Sequence, residues 1–412
     1  MMGRVSAVRC IRCGHAVPPG TLGRCPACAG ILRPHYSGAA IAQLATIPTG
    51  RGLDRYRPVL PASAPLPTLG EGDTPLLALQ RSGATLGLTK LHLKVEGANP
   101  SGAFKDRPGA LAAALALDVG ARGVVTASSG NAAAAISAYC AAAGLECAIL
   151  MEPGNPPAKL RQALATGARI VPVAGVFRRG PDAIADLLHA VAARLNYYLA
   201  FVWAPVNPYI LEGIKSIAYE LAAQLRGAPD VVVCPVGGGD LFTAIWRGFE
   251  ELQQAGVVDQ LPRMFAVQSE SAPPLLEAFR SGAERIATLD HASSRISGIN
   301  VPFTGDHALA AVRASGGRVV GVTDEAVFAA QRSLAREEGV WVEPAGAVAL
   351  AAVPVVVREG ALTPDQTIVC ISSGAGFKDA KLAAESAAAI AARDPLSFDA
   401  DAVVQALRTA ES

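Results

Sequence analysis

The sequence predicts an α/β protein built from mostly parallel sheets. Short runs of β-branched and apolar residues alternate with Ala- and Leu-rich stretches of helical length along most of the 412-residue chain. This alternation is typical of right-handed βαβ units, in which helices cover both faces of a parallel sheet. The length allows two packed domains and a small additional segment.

The predicted elements follow one another in the order that a doubly wound sheet requires. Strand-like segments are LHLKVE, GVVTASS, ECAILME, RIVPVA, DVVVCPV, RMFAVQSE and TIVCISS. Helices are predicted at Asn131–Ala143, Ala158–Thr166, Pro181–Leu195, Leu211–Leu225 and Leu241–Glu251. Residues 41–74 are rich in proline and glycine and are predicted to form an extended linker.

Composition and charge narrow the class of function. Hydrophobic residues make up 51% of the chain and charged residues 17%, but the longest uncharged apolar stretch, near Ala345–Val357, is too short to span a bilayer. The N-terminus lacks the apolar segment of a signal peptide. A net charge of +1 without a long basic run gives no electrostatic reason to expect nucleic-acid binding. We expect a cytoplasmic protein that acts on a small molecule and has neither nucleic acid nor membrane as a partner.

Half of the cysteines form one tight cluster near the N-terminus. Cys10, Cys13, Cys25 and Cys28 make two CxxC pairs around a Gly- and Pro-rich turn. This spacing can close a tetrahedral zinc shell, and four thiolates leave no open position for catalysis. The sequence therefore predicts a structural zinc ribbon, and the alternative is a degenerate ribbon without metal. The other four cysteines are expected to be buried packing residues in a reducing compartment.

The first chemically unusual junction is LKVEGANPSGAFKDRPGA. Parallel α/β sheets bind ligands where strands end and helices begin, and here Lys105 stands at the start of a helix after a tight turn. A lysine in this place can form an imine with a carbonyl cofactor. The positive helix end and the nearby Arg107 are expected to lower its pKa. Considered alone, the segment is more often a solvent-exposed helix start.

Three further junctions have the same strand–turn–helix form. In TASSGNAAAA, free amides and the hydroxyls of Ser128 and Ser129 suit a carboxylate, although a plain helix cap explains the segment equally well. In DVVVCPVGGGDLFTAI, the glycines at 237–239 let backbone amides approach a phosphate. In TIVCISSGAGFKD, a serine could bond to a ring nitrogen, but the segment alone is only a turn.

The order and spacing of these segments resemble the threonine synthases, a family of pyridoxal-phosphate (PLP) enzymes of fold type II. EGANPSGAFKDR is similar to their lysine motif, SSGNAAA to their carboxylate loop, and NPYILEGIKSIAYEL to the stretch before their phosphate loop. WRGFEEL and SGAGFKD also look like family segments. The resemblance covers about Gly70 to Asp379, and an N-terminal cysteine ribbon occurs in some members.

The resemblance implies a role for each matching residue. Lys105 would hold the cofactor as a Schiff base and move the α-proton. Ser373 would lie at the pyridine nitrogen, where a neutral hydroxyl suits elimination and replacement chemistry. The other implied cofactor contacts are Asn131, Gly237, Gly238, Gly239 and Asp240. The implied substrate contacts are Lys94, Ser101, Ser128, Ser129, Gly130 and Asn207.

The sequence and this resemblance together predict the domain organisation. A ribbon at 1–40 would precede a large PLP-binding domain made of 41–115 and 205–394. A small domain at 116–204 would carry the SSGN loop and close over the substrate, which excludes water during carbanion chemistry. Residues 395–412 would form a polar helical tail, and family precedent implies a homodimer.

The departures from the family pattern concern the phosphate of O-phosphohomoserine, the substrate of threonine synthases. Ala204 and Pro205 stand where the family has Asn-Ser, and Ile210 stands where it has an arginine. An apolar side chain cannot replace the bidentate contacts of a guanidinium with a phosphate. We therefore expect a PLP-dependent lyase of the threonine synthase type that performs β/γ-elimination or replacement on a different small amino acid.

Three alternatives remain open at this point. The chain could be a genuine threonine synthase whose phosphate is held by Lys94, Lys215 and backbone amides. It could be a serine/threonine dehydratase, because the early chemistry is shared. It could also be a catalytically silent PLP-binding protein, against which the retained Lys105 argues. Glu343, in an EPAG segment, is interpreted as architectural.

Overall fold

A computed structural model describes residues 4–47, 52–128, 130–153, 160–177, 179–379, 396 and 398–409. Its strands are β1 Ala7–Cys10, β2 Ala16–Val17, β3 Leu32–His35, β4 Leu76–Ala78, β5 Lys90–Val95, β6 Gly123–Ala127, β7 Glu146–Met151, β8 Arg169–Pro172, β9 Tyr197–Leu199, β10 Val231–Pro235, β11 Arg263–Ser269, β12 Arg318–Val322 and β13 Thr367–Ser372.

The helices between them follow the predicted alternation. They are α1 Gly38–Ala42, α2 Gln80–Leu86, α3 Asp106–Asp118, α4 Asn131–Ala142, α5 Arg161–Ala165, α6 Pro181–Leu195, α7 Ser216–Leu225, α8 Asp240–Gln254, α9 Pro274–Arg280, α10 Asp306–Ala314, α11 Asp324–Glu337, α12 Pro344–Arg358 and α13 Ala400–Thr409. Short 3-10 helices occur at Gln43–Thr46, Leu53–Val59, Glu96–Ala98, Ile210–Lys215 and Gly376–Asp379.

Two largely parallel sheets and a small antiparallel one confirm the predicted fold class. The larger sheet has the strand order β12-β11-β10-β13-β5-β4, in which only the β4–β5 pair is antiparallel. The second sheet has the order β8-β7-β6-β9 and is parallel throughout. The ribbon strands have the order β2-β1-β3 and are antiparallel. Strands β6 and β10 are buried along their whole length, as expected for strands covered on both faces.

The strand order brings three of the predicted junctions to one edge of the larger sheet. Strands β5, β13 and β10 are neighbours and parallel, so their carboxyl ends meet. Lys105, the SSGAG turn and the glycine loop follow these strand ends in the sequence. The fold therefore collects them at the edge where ligands of α/β sheets bind.

Most sequence predictions of elements agree with the structure, with differences at their ends. All the predicted strands are present, whereas β4, β9, β12 and the ribbon strands were not predicted. The predicted linker at 41–74 is not extended throughout, because Leu53 and Val59 bury fully in 3-10 turns. The helix predicted at Ala158–Thr166 spans Arg161–Ala165, and residues 158–159 lie outside the described residues.

The chain divides into two compact units, residues 1–378 and residues 379–412. The second unit contains α13, in agreement with the predicted helical tail, although 395, 397 and 410–412 lie outside the described residues. Strands β6 to β9 all fall inside the predicted small domain, but the boundaries at 40, 115, 204 and 394 stay predictions. None of the described helices combines the length and the apolarity that a membrane crossing needs.

Candidate active site

Lys105 lies directly before α3, at the amino end of the helix. Its side chain is partly buried, and its Nζ lies 4.5 Å from the centroid of the Phe104 ring. Backbone contacts join this turn to the serine turn, because Phe104 N donates to Ser373 O at 3.0 Å and Ala103 pairs with Gly374. The lysine and serine turns are therefore held together as one rigid unit.

The pKa of Lys105 is lowered from its usual range to about 8. Burial is the main cause, and the carboxylates of Asp240 and Glu343 act in the opposite direction. The expectation that Arg107 lowers this pKa is wrong, because its guanidinium is fully buried in a separate ion network. An amine with this pKa is partly neutral at physiological pH, which is the form that reacts with an aldehyde.

This pKa predicts how the cofactor-free protein takes up PLP. We expect the association rate to rise roughly tenfold per pH unit below pH 8 and to level off above it, because the neutral amine of Lys105 is the reacting form. Stopped-flow absorbance after mixing with PLP measures the profile. A rate that keeps rising to pH 10 would show an unperturbed lysine.

The glycine loop (237–239) has its carbonyls bonded and its amides free. The three carbonyls accept hydrogen bonds from Thr304 Oγ1 at 2.7 Å, Gly305 N at 3.0 Å and Thr243 N at 3.0 Å. Within the described residues, no acceptor is found for the three glycine amides. They lie at the start of α8, whose dipole favours an anion.

A side chain would be crowded at Gly238 and both crowded and strained at Gly239. A Cβ on Gly238 would lie 3.1 Å from Cδ1 of Trp203, and Gly239 has a φ of 101° with Ala308 only 2.9 Å from its ideal Cβ. Trp203 is buried, and its indole Nε1 has no hydrogen-bond partner among the described residues. Free amides and an unpartnered indole N–H make this loop fit the phosphate of PLP.

Asp240, the first residue of α8, is buried beside the loop. Its Oδ1 accepts from Ala204 N at 2.9 Å and contacts His307 Nε2 at 3.1 Å. Its negative charge also acts to raise the pKa of Lys105, against the larger effect of burial. The structure therefore places Asp240 close to the lysine, while its role as a cofactor contact stays a prediction.

Glu343 joins two predicted site residues, a connection that the sequence analysis missed. Its carboxylate accepts from Asn131 Nδ2 at 3.0 Å to each oxygen and from Ser373 Oγ at 3.2 Å. Because Asn131 and Ser373 are both predicted cofactor contacts, Glu343 positions two side chains of the site and also influences Lys105. It is buried at the amino end of α12, and its interpretation as architectural stays a prediction.

The SSGN turn lies at the amino end of α4. Ser128 Oγ accepts from Gly130 N at 3.2 Å, and Ser128 N donates to Leu150 O. Both Ser128 and Gly130 are partly buried. Ser129 lies outside the described residues, so the substrate-binding roles in this turn stay predictions.

Two lysines that the sequence offered as anion ligands are unavailable. Lys94 is fully buried and donates to Glu220, Thr74 O and Gln224 at 2.7–3.0 Å. Lys215 is also fully buried and bonds to Glu251 and to Glu212. The prediction that Lys94 contacts the substrate is wrong, because its buried ammonium group donates its hydrogen bonds to protein groups.

Asn207 also has a structural role instead of the predicted substrate contact. Its buried amide donates to Tyr198 OH and Leu199 O, and its oxygen accepts from Tyr209 N. Ile210 is likewise fully buried, in the hydrophobic core. This segment before the phosphate loop therefore contributes packing and offers no polar atom of Asn207 to a substrate.

Ser101 lies in the lysine turn but faces inward. Its hydroxyl donates to Asp106 at 2.7 Å, and its carbonyl accepts from Lys378 Nζ at 2.8 Å. Burial raises the pKa of Asp106 to about 6, against the lowering effect of the Ser101 hydrogen bonds. The hydroxyl of Ser101 is therefore bonded to the first residue of the lysine helix, and its substrate role stays a prediction.

The four N-terminal cysteines form the cluster that the spacing predicts. Their sulfur atoms all lie within 4.8 Å of one another, with Cys10 and Cys28 separated by 3.5 Å and Cys13 and Cys25 by 3.7 Å. The donor set of four thiols and the close approach of Gly30, whose ideal Cβ would lie 2.6 Å from Cys10 Sγ, fit a compact four-coordinate metal shell.

Comparison with known proteins shows to which family the chain belongs. The profile of the family described as "Pyridoxal-phosphate dependent enzyme" matches residues 67–374. A threonine synthase of Methanocaldococcus jannaschii is 36% identical over 95% of this chain and 96% of its own. The chain belongs to the threonine synthase family. A threonine synthase of Mycobacterium bovis is 38% identical over 82% of this chain and 90% of its own.

Solved structures of a serine racemase and of a threonine deaminase share the fold of this chain. Maize serine racemase superimposes with a TM-score of 0.66 at 23% identity, over 77% of this chain and 92% of its own. The processed form of threonine deaminase isoform 2 from Solanum lycopersicum gives 0.64 at 21% identity, over 76% and 86%. As a family member, the chain is a PLP-dependent lyase of the threonine synthase type, and its fold is PLP fold type II.

Proposed function

We propose that this enzyme eliminates a β- or γ-substituent from a small amino acid and adds water or another nucleophile, and that its substrate is not O-phosphohomoserine. The altered substrate is supported by the side chains that the sequence offered for binding a substrate phosphate, because none of them is available. Lys94 and Lys215 are fully buried in ion pairs, and Ile210, at the family arginine position, is buried in the core. A dianionic phosphate would lack the charged partners that such groups require.

Different residues of the chain would have different roles around bound PLP. PLP supplies an electron sink for the carbanion formed at the substrate α-carbon. Lys105 would hold the cofactor and carry the α-proton on its Nζ, for which a pKa of about 8 is well matched. The glycine loop amides would hold the phosphate, and Glu343 would orient Asn131 and Ser373.

A substrate profile tests this proposal. PLP-loaded protein is given O-phosphohomoserine, O-acetylhomoserine, O-acetylserine, serine and threonine, and amino-acid, phosphate, acetate and 2-oxo acid products are quantified. We expect kcat/KM for at least one non-phosphorylated substrate to exceed that for O-phosphohomoserine. A preference for O-phosphohomoserine would overturn the altered-substrate proposal. Turnover of none, despite bound PLP, would indicate the catalytically silent alternative.

Genuine threonine synthase activity is the second candidate. The relatives that match nearly the whole chain carry that name. Complementation of a threonine auxotroph distinguishes it, because only an enzyme that makes threonine restores growth. A serine/threonine dehydratase would instead release 2-oxo acid and ammonia from serine or threonine. The same product assay separates these outcomes.

We further propose that Cys10, Cys13, Cys25 and Cys28 hold a structural zinc ion. The ribbon contacts the segment before the phosphate loop: Gly23 N donates to Val206 O at 2.9 Å. Arg24 also lies 5.4 Å from the centroid of the Trp203 ring, and Trp203 packs on the glycine loop. The zinc ribbon would therefore support the loop that binds the cofactor phosphate.

Zinc removal is thus expected to weaken PLP binding. The Cys13→Ser variant should lose zinc, measured by elemental analysis, and bind PLP several-fold more weakly in a fluorescence titration, because the support of Trp203 is lost. Cys147→Ala, outside the ribbon, should retain both zinc and PLP affinity. Unchanged PLP affinity in a zinc-free Cys13→Ser protein would contradict this coupling.

We also propose a cytoplasmic location, as the sequence analysis expects, and a homodimer, as the family resemblance implies. Sedimentation velocity of the PLP-loaded protein tests the dimer, with a mass near twice 42.1 kDa expected. Fractionation of cells that produce the protein tests the location.

A further inference from the structure

Three polar groups from distant parts of the chain meet in the lysine turn. The carbonyl oxygen of Ser101 accepts from Lys378 Nζ at 2.8 Å and from Gln162 Nε2 at 3.1 Å. The side-chain oxygen of Gln162 also accepts from Lys378 Nζ. Each of the three groups is therefore bonded to the other two, and we call this triangle the Ser101 clasp.

The Ser101 clasp joins segments that belong to the two parallel sheets. Ser101 follows β5 and Lys378 follows β13, which are neighbours in the larger sheet. Gln162 lies on α5, which follows β7 of the second sheet. Helix α5 is in turn bonded to α4, because Thr166 Oγ1 lies 2.9 Å from Ser137 Oγ. Since α4 begins directly after the SSGN turn, the clasp connects the helix of that turn to the lysine turn.

The segment that carries Lys378 also packs closely on the lysine turn. Gly102 has a φ of 90°, and a Cβ on it would collide with the Phe377 ring and lie 3.3 Å from Cδ of Lys378. The hydroxyl of Ser101 is bonded to Asp106 at the same time. The turn that carries the cofactor lysine is therefore held at its carbonyl, at its hydroxyl and at its glycine.

We propose that Gln162 and Lys378 are positioning residues, and that the Ser101 clasp fixes the separation between Lys105 and the SSGN turn. The inference rests on the roles that the proposed function gives to this lysine and this turn, but not on the identity of the substrate. The amine follows a strand of one sheet and the turn follows a strand of the other. Both must act on the same small amino acid, so the reaction needs a fixed distance between them.

Loss of the Ser101 clasp is expected to raise KM about tenfold and to change kcat less than about threefold. Without the clasp, the arrangement that binds the substrate would be populated only in part, and the apparent affinity falls by that fraction. Hydrogen bonds to a charged group supply a factor of this size. The variants are Gln162→Leu and Lys378→Met, which remove the polar groups and keep most of the volume. Both side chains are partly exposed, so neither change opens a cavity in the core.

Steady-state kinetics of full-length, PLP-loaded protein test the proposal, with the substrate that has the highest kcat/KM in the substrate profile. The double variant of Gln162→Leu and Lys378→Met should raise KM no further than the more affected single variant, because both residues serve one contact. Lys378→Arg keeps donors for Ser101 O and for Gln162 and should recover most of the affinity. Lys90→Met, at the exposed start of β5, is the matched control and should leave KM unchanged.

A second measurement does not depend on turnover. Hydroxylamine removes PLP from a lysine as the oxime, and the loss of visible absorbance gives the rate. We expect this rate to rise several-fold in Gln162→Leu and in Lys378→Met, because the cofactor is less protected when the two sheets separate at the site. If no substrate is turned over, the proposed function fails, but the release rate still tests the Ser101 clasp.

Four results would overturn the proposal. An unchanged KM and an unchanged release rate in both single variants would show that the clasp has no effect. Effects that multiply in the double variant would show that the two residues act separately. A lower kcat with an unchanged KM would place them in the chemical step instead. A raised KM with an unchanged release rate would refute the separation of the sheets. If Lys378→Met does not fold, Gln162→Leu and Lys378→Arg still give both measurements.

Discussion

Replacement of Lys105 by alanine is expected to lower kcat by at least ~10³-fold. The substitution removes the amine that would hold the cofactor and carry the α-proton. Within the described residues, no other lysine takes this place: Lys94 and Lys215 are buried in ion pairs, and Lys378 bonds to Ser101 O and Gln162.

The measurement combines steady-state rates with absorbance spectra of the purified variant. Lys105→Ala should lose the visible absorbance of covalently held PLP, although free glycine-loop amides still allow weak cofactor binding. Lys90→Ala, at the exposed start of β5, is the matched control and should keep both rate and spectrum. Turnover that survives in Lys105→Ala would refute the assignment of this lysine.

The second large effect concerns stability. Arg107 is fully buried and donates to both Glu96 and Glu220 at 2.6–2.8 Å and to Ser216 at 2.6 Å. Arg107→Met keeps the volume but leaves two buried carboxylates with Lys94 as their only cation among the described residues. We expect a loss of about 3–5 kcal/mol in unfolding free energy, as is typical when one partner of a buried ion pair is removed.

Urea unfolding of the PLP-free protein measures this loss. Arg122→Met is the matched control, because Arg122 is largely exposed and its ion pair with Glu146 is worth about 1 kcal/mol or less. The triple variant Arg107→Met, Glu96→Gln, Glu220→Gln should recover part of the stability, since no carboxylate charge is then buried without a partner. A loss in Arg107→Met no larger than that in the control would show that the network is dispensable.

The same network predicts sensitivity to acid. Arg107 and Lys94 hold the pKa of Glu220 well below its usual value of 4.5, although burial acts against them. A carboxyl with a depressed folded-state pKa contributes stability that is complete above the unfolded value and is lost as pH falls through the folded one. Acid unfolding below pH 4.5 should therefore be less steep in Glu220→Gln than in the wild type.

The sequence allowed the parallel sheets, the lysine turn and the glycine loop to be predicted because each is a local pattern. Strand β10 followed by three glycines and α8 is contiguous in sequence, and so is β5 with the turn before Lys105. Glu343 could not be recognised in this way. Its partner Asn131 is 212 residues away, and only the assembled fold shows that its carboxylate joins two predicted cofactor contacts.

Lys94 shows the opposite error. The family resemblance implied that the lysine of LHLKVE contacts the substrate, yet its partner Glu220 lies on α7, 126 residues further along the chain. The sequence does not show whether a lysine is buried or exposed. That depends on its ion-pair partner, which here is distant in the sequence. The substrate residues were therefore harder to predict than the cofactor loops.

The joining of the lysine turn to the serine turn has a consequence for biosynthesis. Ala103 pairs with Gly374, and Phe104 with Ser373, so the pocket needs a segment that the ribosome makes long after the lysine. Such closure of distant segments is a late event in folding. We therefore expect cofactor uptake to follow synthesis of the serine turn, so that PLP acts after the early folding of the nascent chain.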